Sequence, residues 1–243
     1  MLTSTLRRTA VATLSLLLTA ALLGSMGCGG ASFGSELSAQ PRPRPVRDEA
    51  TPLRLPEAEP FSITLTESSR KPGLDGTAVS DARATRTGEA EITAAVEQSG
   101  LAVGNFQLGH AFENASDRQA DFDFVVRYRY DFAAAATPES AYPDAQVGLK
   151  LYARGEHGRT LRDVTLVQHT TEGGPVDGAS EDAREFTLTL GPGETVNVFL
   201  AGQVRIDIRE GRSASGSLKV TDLSMEVAMR LAPAVRQGGD GQE

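Results

Sequence analysis

The sequence predicts an all-β fold, an antiparallel β-sandwich with a jelly-roll-like arrangement of strands. Apolar and polar residues alternate over several long segments, as in strands with one face against a core. Short segments rich in glycine, proline and aspartate separate these runs and indicate turns. No segment has a convincing amphipathic helical period, which favours a fold built from strands.

The clearest predicted strand covers residues 121–132. One face of this segment is apolar, whereas the other is charged except at Val125. Alternation of this length predicts a half-buried strand whose tyrosines point inward. The apolar face consists of Phe122, Phe124, Val126, Tyr128, Tyr130 and Phe132.

A second long alternation covers residues 196–208. It is interrupted by Gly202, at a point where a bend or bulge costs little. Shorter alternations at residues 147–151 and 186–190 predict two more strands. The segment between residues 186–190 and the long strand reads Gly191-Pro192-Gly193-Glu194. It fits a type II turn, which places proline second and a glycine with positive φ third.

The last predicted strand changes phase. Leu218 and Val220 share one parity, whereas the apolar residues from Leu223 to Leu231 share the other. An extra residue near Thr221 and Asp222 would let both sets face the core, as a β-bulge does. The sequence therefore predicts a bulge at this point.

The segment from residue 77 to residue 98 allows two interpretations. Small apolar residues alternate with polar ones on both sides of Gly88, which predicts strands. The alanine and glutamate content of residues 89–98 suits a helix ended by Gly100. We favour strand, because the alternation continues on both sides.

The N-terminus has the pattern of a secretory signal peptide over residues 1–27. Arg7 and Arg8 precede an apolar run from residue 10 to residue 23, too short to span a membrane. Small residues precede Cys28, the only cysteine of the chain, so we expect cleavage between Gly27 and Cys28. A single cysteine also excludes an internal disulfide.

The sequence Leu23-Gly24-Ser25-Met26-Gly27-Cys28 resembles the lipobox of bacterial lipoproteins. The resemblance implies lipidation of Cys28, and Gly29 after it implies release to the outer membrane. Ser25 stands where the family usually has a branched aliphatic residue. Ser25 and Gly27 also suit an ordinary signal peptidase, so secretion without a lipid remains the alternative.

We expect three further segments after the signal peptide. Residues 28–60 contain alternating prolines and predict an extended, flexible tether that follows the lipidated cysteine. Residues 61–232 form the sandwich domain, and residues 233–243 a disordered tail. The pattern of strands over residues 61–231 resembles the ectodomains of bacterial exported proteins of the PEP-CTERM and choice-of-anchor kind, most of which have no known activity. Unlike them, this chain ends in a polar tail, so we expect any anchor to lie at Cys28.

The charge of the chain excludes one class of partner. The formal net charge is −8, and removal of residues 1–27, which carry Arg7, Arg8 and no acid, changes it to −10. Nucleic-acid binding needs a basic patch, so we expect no nucleic-acid partner. The same charge argues against anionic lipid as a direct ligand of the domain.

The residues that carry chemistry form no catalytic motif. His110, His157 and His169 have no metal-ligand spacing, and no GxSxG elbow exists for a serine hydrolase. His157 lies in a predicted hairpin tip. We therefore expect no enzymatic activity and no cofactor.

Two binding hypotheses remain. Oxygen-rich segments are able to bind calcium, and the candidate ligands are Asp117, Asp121 and Asp123. Glycan binding usually needs exposed aromatic side chains, for which Tyr142 and Tyr152 are the candidates. The sequon at Asn114 is interpreted as a chance match.

We thus expect a membrane-tethered lipoprotein of the bacterial cell envelope with a structural or adhesive role. Its partners would be the membrane, through the lipid, and an envelope protein or glycan. The alternatives are a calcium- or glycan-binding surface module and, as a third class, an envelope hydrolase.

Overall fold

The computed structural model describes residues 43–46, 52–138, 142–172 and 174–231, apart from the side chain of Glu210. These ranges contain ten strands, one 3-10 turn at Glu156–Gly158 and no α-helix. The strands are β1 (Arg44–Val46), β2 (Leu53–Leu55), β3 (Ile63–Pro72), β4 (Thr77–Ala84), β5 (Ala90–Asn114), β6 (Ala120–Thr137), β7 (Ala145–Gly155), β8 (Thr160–Thr170), β9 (Val176–Leu190) and β10 (Thr195–Leu231).

The strands form two five-stranded leaves that share β5 and β10. The first leaf has the order β3-β5-β10-β7-β8 and uses the C-terminal part of β5 with the N-terminal part of β10. The second leaf has the order β4-β5-β10-β6-β9 and uses the other parts of the two long strands. All of these pairs are antiparallel. The predicted antiparallel β-sandwich is therefore confirmed.

The long strands turn from one leaf to the other at residues with left-handed backbone. Gln98 and Gly100 in β5 have φ of 68° and 142°, and Gly211 in β10 has φ of 64°. The register between β5 and β10 shifts here, between Ile208 and Arg212. Because glycine adopts positive φ without steric cost, two of these three positions suit a sharp change of direction.

The inner faces of the leaves interdigitate closely. A Cβ on Gly202 of the first leaf would lie 2.8 Å from Leu218 of the second leaf, and closer still to the Phe106 ring. Likewise, a Cβ on Gly216 of the second leaf would lie 2.8 Å from Val204 of the first leaf. The core between the leaves includes the buried rings of Phe61, Phe106, Phe112, Phe122, Phe124 and Tyr128.

The structure corrects the interpretation of Gly202. The sequence suggested a bend or bulge at this glycine, but its pairing with Phe106 and Leu149 continues the register on both sides. Gly202 instead leaves room for the Phe106 ring. The change of direction in β10 comes later, before Arg212.

The predicted bulge is confirmed. The register between β10 and β6 shifts by one residue between Thr221 and Ser224, and Asp222 has φ of 57°. As a result Leu218 and Val220 before the bulge, and Leu223 after it, are all buried.

Other predicted elements are also confirmed. Residues 90–98 belong to β5, so the helical alternative for residues 89–98 is wrong. The turn after β9 has Gly193 at φ of 71°, and the Glu194 amide donates to the Gly191 carbonyl at 3.1 Å. Tyr128 is buried and Tyr130 half-buried.

The predicted tether over residues 28–60 is wrong in its second half. β1 pairs in parallel with β5 near Phe112, and β2 pairs antiparallel with β10 near Met225. Val46 and Leu55 are buried in the core, and this apolar contact explains why the segment docks. Pro45 is tolerated because β1 lies at an edge. Residues 28–42 and 47–51, the signal peptide and the C-terminal tail lie outside the described residues.

Candidate functional site

The solvent faces of the two leaves differ in chemistry. Nine asparagine and glutamine residues lie in the described ranges, and register with their neighbours puts six of them on the outer face of the first leaf. The outer face of the second leaf has no amide side chain among the described residues. We call the first surface the amide face; its amide residues are Asn105, Gln107, Gln146, Gln168, Asn197 and Gln203.

The centre of the amide face is a row across four strands. Asn105 of β5 pairs with Gln203 of β10, which pairs with Gly148 of β7, which pairs with Gln168 of β8. The Gln203 side-chain amide donates to the Asn105 side-chain oxygen at 2.9 Å. Asn105 is only 5% exposed, whereas Gln168 is exposed. Asn105 thus orients the half-buried side chain of Gln203.

An aromatic and cationic cluster lies beside this row on the same face. Tyr152 of β7 stacks on Phe199 of β10, with ring centres 5.5 Å apart. The guanidinium carbon of Arg154 lies 4.5 Å from the centre of the Tyr152 ring and 5.5 Å from that of Phe199. Lys150 lies 5.9 Å from the Tyr152 ring.

Phe199 is 3% exposed although it points away from the main core. Its neighbours across the strands are Gly109 of β5 and Tyr152 of β7, and Ile63 packs against it. A Cβ on Gly109 would lie 2.5 Å from Phe199 Cα, so glycine is needed for the two strands to approach here. The cluster therefore rests on a fixed aromatic base.

Tyr152 lies on the polar side of its strand, as the sequence predicts. Its ring is not a free platform, because Phe199 and Arg154 lie against it. Tyr142, the other aromatic candidate, is 64% exposed and lies 5.7 Å from Arg212 outside the amide face. The six amides were missed by the sequence reasoning, although Asn105 and Gln107 do lie on the polar phase of β5.

The outer face of the second leaf is built from ion pairs and hydroxyl contacts. Asp123 accepts hydrogen bonds from Arg230 at 2.7 and 3.0 Å and from the Thr187 hydroxyl at 2.6 Å. These donors hold the pKa of the Asp123 carboxyl below its usual value. Asp121 accepts the Thr189 hydroxyl at 2.7 Å.

The structure does not bring the three predicted calcium ligands together as a metal centre. Asp117 lies 3.8 Å from Arg118 and is largely exposed. Within the described ranges no group of three or more histidine, cysteine, aspartate or glutamate residues is arranged to hold a metal ion. A calcium site at Asp117, Asp121 and Asp123 therefore remains a prediction without geometric support.

A groove of about 460 Å³ crosses the outer face of the second leaf. Its floor is made of alanine, serine and threonine side chains, and Asp177 lies at one end. The lining includes Val79, Thr93, Ala95, Ala133, Ala135, Asp177, Ser215 and Ser217. This surface offers hydroxyls and methyl groups, but neither amides nor aromatic rings.

The histidines have separate environments. His110 is 3% exposed, its Nδ1 accepts the Ser62 amide at 3.2 Å, and burial lowers its pKa. His157 lies in the exposed 3-10 turn between β7 and β8, as predicted. His169 is exposed and stacks on Phe132 with ring centres 5.0 Å apart.

Asn114 is a structural residue. It is fully buried, and its side-chain nitrogen donates to the carbonyls of Arg118, Leu190 and Gly191 at 2.8–3.0 Å. Its side-chain oxygen accepts from the backbone and hydroxyl of Ser116. The sequon is therefore used for a loop contact. Separately, no helix in the described ranges is long and apolar enough to cross a membrane.

No protein-family model and no curated protein matches the chain. Solved structures with some likeness include the enzymatically active domain of tailspike protein 4 of bacteriophage CBA120, with 9% identity, a TM-score of 0.23 and coverage of 69% of this chain. This chain spans 19% of that one.

Two carbohydrate-binding modules from Clostridium thermocellum have similar scores. The family 35 module has 11% identity and a TM-score of 0.20, with 64% of this chain and 98% of that one covered. The family 11 module, in complex with a β-1,3-1,4-mixed-linked tetrasaccharide, has 8% identity and a TM-score of 0.23, with 73% and 96% covered. Likenesses this remote support no argument about function. The assignment of the β-sandwich fold is based on the strand pairings described above.

Proposed function

We propose that the chain is a non-enzymatic glycan-binding module with an adhesive role, displayed on the cell envelope through Cys28. The observation that carries the binding role is the concentration of six amide side chains on one face. Each amide offers both donors and an acceptor. Sugar hydroxyls need both, so a patterned array of amides suits them better than carboxylates or ammonium groups alone.

The spacing of the amides suits an extended oligosaccharide. Neighbouring strands lie about 4.8 Å apart, so the five strands of the first leaf present a surface about 19 Å across. Asn197 and Gln203, which are both half-buried, lie six residues apart on β10, about 20 Å along the strand. The hydrogen-bonding groups therefore repeat in two directions on a rigid sheet, which lowers the ordering cost of binding.

The display part of the proposal rests on the N-terminal residues. A signal peptide over residues 1–27 would expose Cys28 as the new N-terminus, and Gly27 before it fits the lipobox. Several acyl chains would hold the domain at a membrane, because each buried methylene contributes about 0.8 kcal/mol. Gly29 after the cysteine supports an outer-membrane location, and secretion is the alternative if the lipid is absent.

Binding is tested by calorimetric titration of the full mature chain with cello-, xylo-, chito- and galacturono-oligosaccharides. We expect at least one class to bind, and the double variant Gln107→Ala with Gln168→Ala to weaken it about tenfold or more. Gln119→Ala is the matched control, because Gln119 is an exposed amide outside the face. Absence of binding across the panel, or equal losses in the control, would reject the glycan role.

The tether is tested separately by the intact mass of the N-terminal peptide from native membranes. A diacylglyceryl-modified Cys28 supports envelope display. An unmodified Cys28 in a released protein contradicts display, while the binding proposal remains testable on its own.

A further inference from the structure

Arg154 has unusual surroundings for an arginine of this chain. Ten of the sixteen described arginines have a carboxylate within 4.0 Å. The other six have no such carboxylate among the described residues. Arg154 is one of these six, and it is half-buried whereas the rest are exposed. The exposed five are Arg70, Arg86, Arg159, Arg162 and Arg209.

The contacts of Arg154 leave part of its hydrogen-bonding capacity unused. Its Nε is buried and has no hydrogen-bond partner among the described residues. The rings of Tyr152 and Phe199 stabilise the positive charge through their faces, but they do not accept its in-plane hydrogens as a carboxylate does. The side chain is half-buried and has no carboxylate partner among the described residues, which leaves its guanidinium able to take an anionic ligand.

The acidic residue across the strands from Tyr152 lies close to a lysine and forms no ion pair with Arg154. Asp163, which pairs across the strands with Tyr152, lies 3.6 Å from the Lys150 ammonium. Across β10 the neighbour of Arg154 is Asn197, a neutral amide of the amide face. The cation thus lies at the border of the amide face, and no carboxylate of the described residues lies within 4.0 Å of it.

We propose that Arg154 is an anion-binding residue of the amide face, and that the glycan carries a carboxylate, sulfate or phosphate group. This inference rests on the proposed glycan-binding function. The planar guanidinium, held by two rings, presents a fixed fork that matches an oxyanion in two-point geometry. The amides bind the neutral hydroxyls of the same ligand.

The test is calorimetric titration of the mature chain with an oligogalacturonate and with its methyl ester, which has the same backbone and no charge. We expect the acid to bind about tenfold more tightly than the ester. Sulfated and phosphorylated oligosaccharides in parallel titrations identify which oxyanion binds best. Arg154→Gln should abolish the preference for the acid over the ester.

Two further variants make the test decisive. Arg154→Lys keeps the charge but loses the planar fork, so it should keep only part of the preference and covers the case in which Arg154→Gln fails to fold. Lys219→Gln removes an exposed positive charge from the second leaf and should keep the full preference. Equal binding of every charged oligosaccharide and the ester, or a preference that survives Arg154→Gln, overturns the inference while the glycan role stands. If none of the oligosaccharides binds, both the anion-binding inference and the glycan-binding function are rejected.

Discussion

Nε2 of His110 lies 3.2 Å from a buried carboxylate oxygen of Glu59, in the loop that follows β2. The other ring nitrogen accepts the Ser62 amide, which fixes the neutral ring with its proton on Nε2. Arg44 of β1 lies 3.4 Å from the same carboxylate. The contact therefore joins the N-terminal strands to β5.

The unfolding free energy should fall on acidification because of His110. Burial lowers its folded pKa below 6.5, Arg44 and Arg86 lower it further, and Glu59 opposes them. The unfolded chain then binds more protons, so stability is complete above about pH 6.5 and is lost as pH falls through the folded pKa. Urea titrations at pH 8 and pH 5 should show that the free energy of unfolding falls more in the wild type than in His110→Gln. Equal losses would contradict this.

Gly202→Ala should destabilise the sandwich by about 1–3 kcal/mol, because its methyl group would overlap the Phe106 ring and Leu218. Gly148→Ala is the matched control on the neighbouring strand, where the closest atom to a new Cβ is the Val167 carbonyl oxygen at 3.9 Å. That variant should be neutral or slightly stabilising. Urea midpoints measure both, and similar effects would disprove the close packing at Gly202.

Asp222→Gly should leave stability unchanged or raise it by up to about 1 kcal/mol, since glycine adopts the φ of 57° without strain. The lost contact, 3.4 Å from Asp222 to Arg129, is exposed and contributes little. Asp222→Val should instead destabilise, because a β-branched residue disfavours positive φ. A thermal shift series tests this order, and the reverse order would argue against the bulge.

Asn114→Asp should cost about 2–4 kcal/mol, because a buried oxygen would then face three carbonyl oxygens. Gln119→Glu, an exposed replacement of an amide by a carboxylate in the neighbouring loop, should cost little. Circular dichroism melts compare the two, and a stable Asn114→Asp protein would show that this network does not hold the loop.

The sequence predicts most of the strands because alternation reports directly on burial. The bulge at Asp222 was predictable for the same reason, since the change of phase before Leu223 has no other simple explanation. Strands β1 and β2 were missed because three residues are too few to show a period, and Pro45 favoured an extended linker instead.

The amide face was not predictable because its residues come together only through pairing. Asn105, Gln168 and Gln203 lie on three strands that are distant along the chain, and each alone is an ordinary polar position. The same holds for Arg154 and Phe199, whose contact depends on the register between β7 and β10. Tyr152 was the one residue of this surface that the alternating pattern identified.

NMR chemical-shift mapping of the mature chain with the oligosaccharide that binds best is the decisive test of glycan binding at the amide face. We expect perturbations at Gln107, Gln168, Gln203 and Arg154, confined to the outer face of the first leaf. Perturbations centred on Thr93, Ala133 and Ser215 in the groove of the second leaf, or none at saturating ligand, would contradict it.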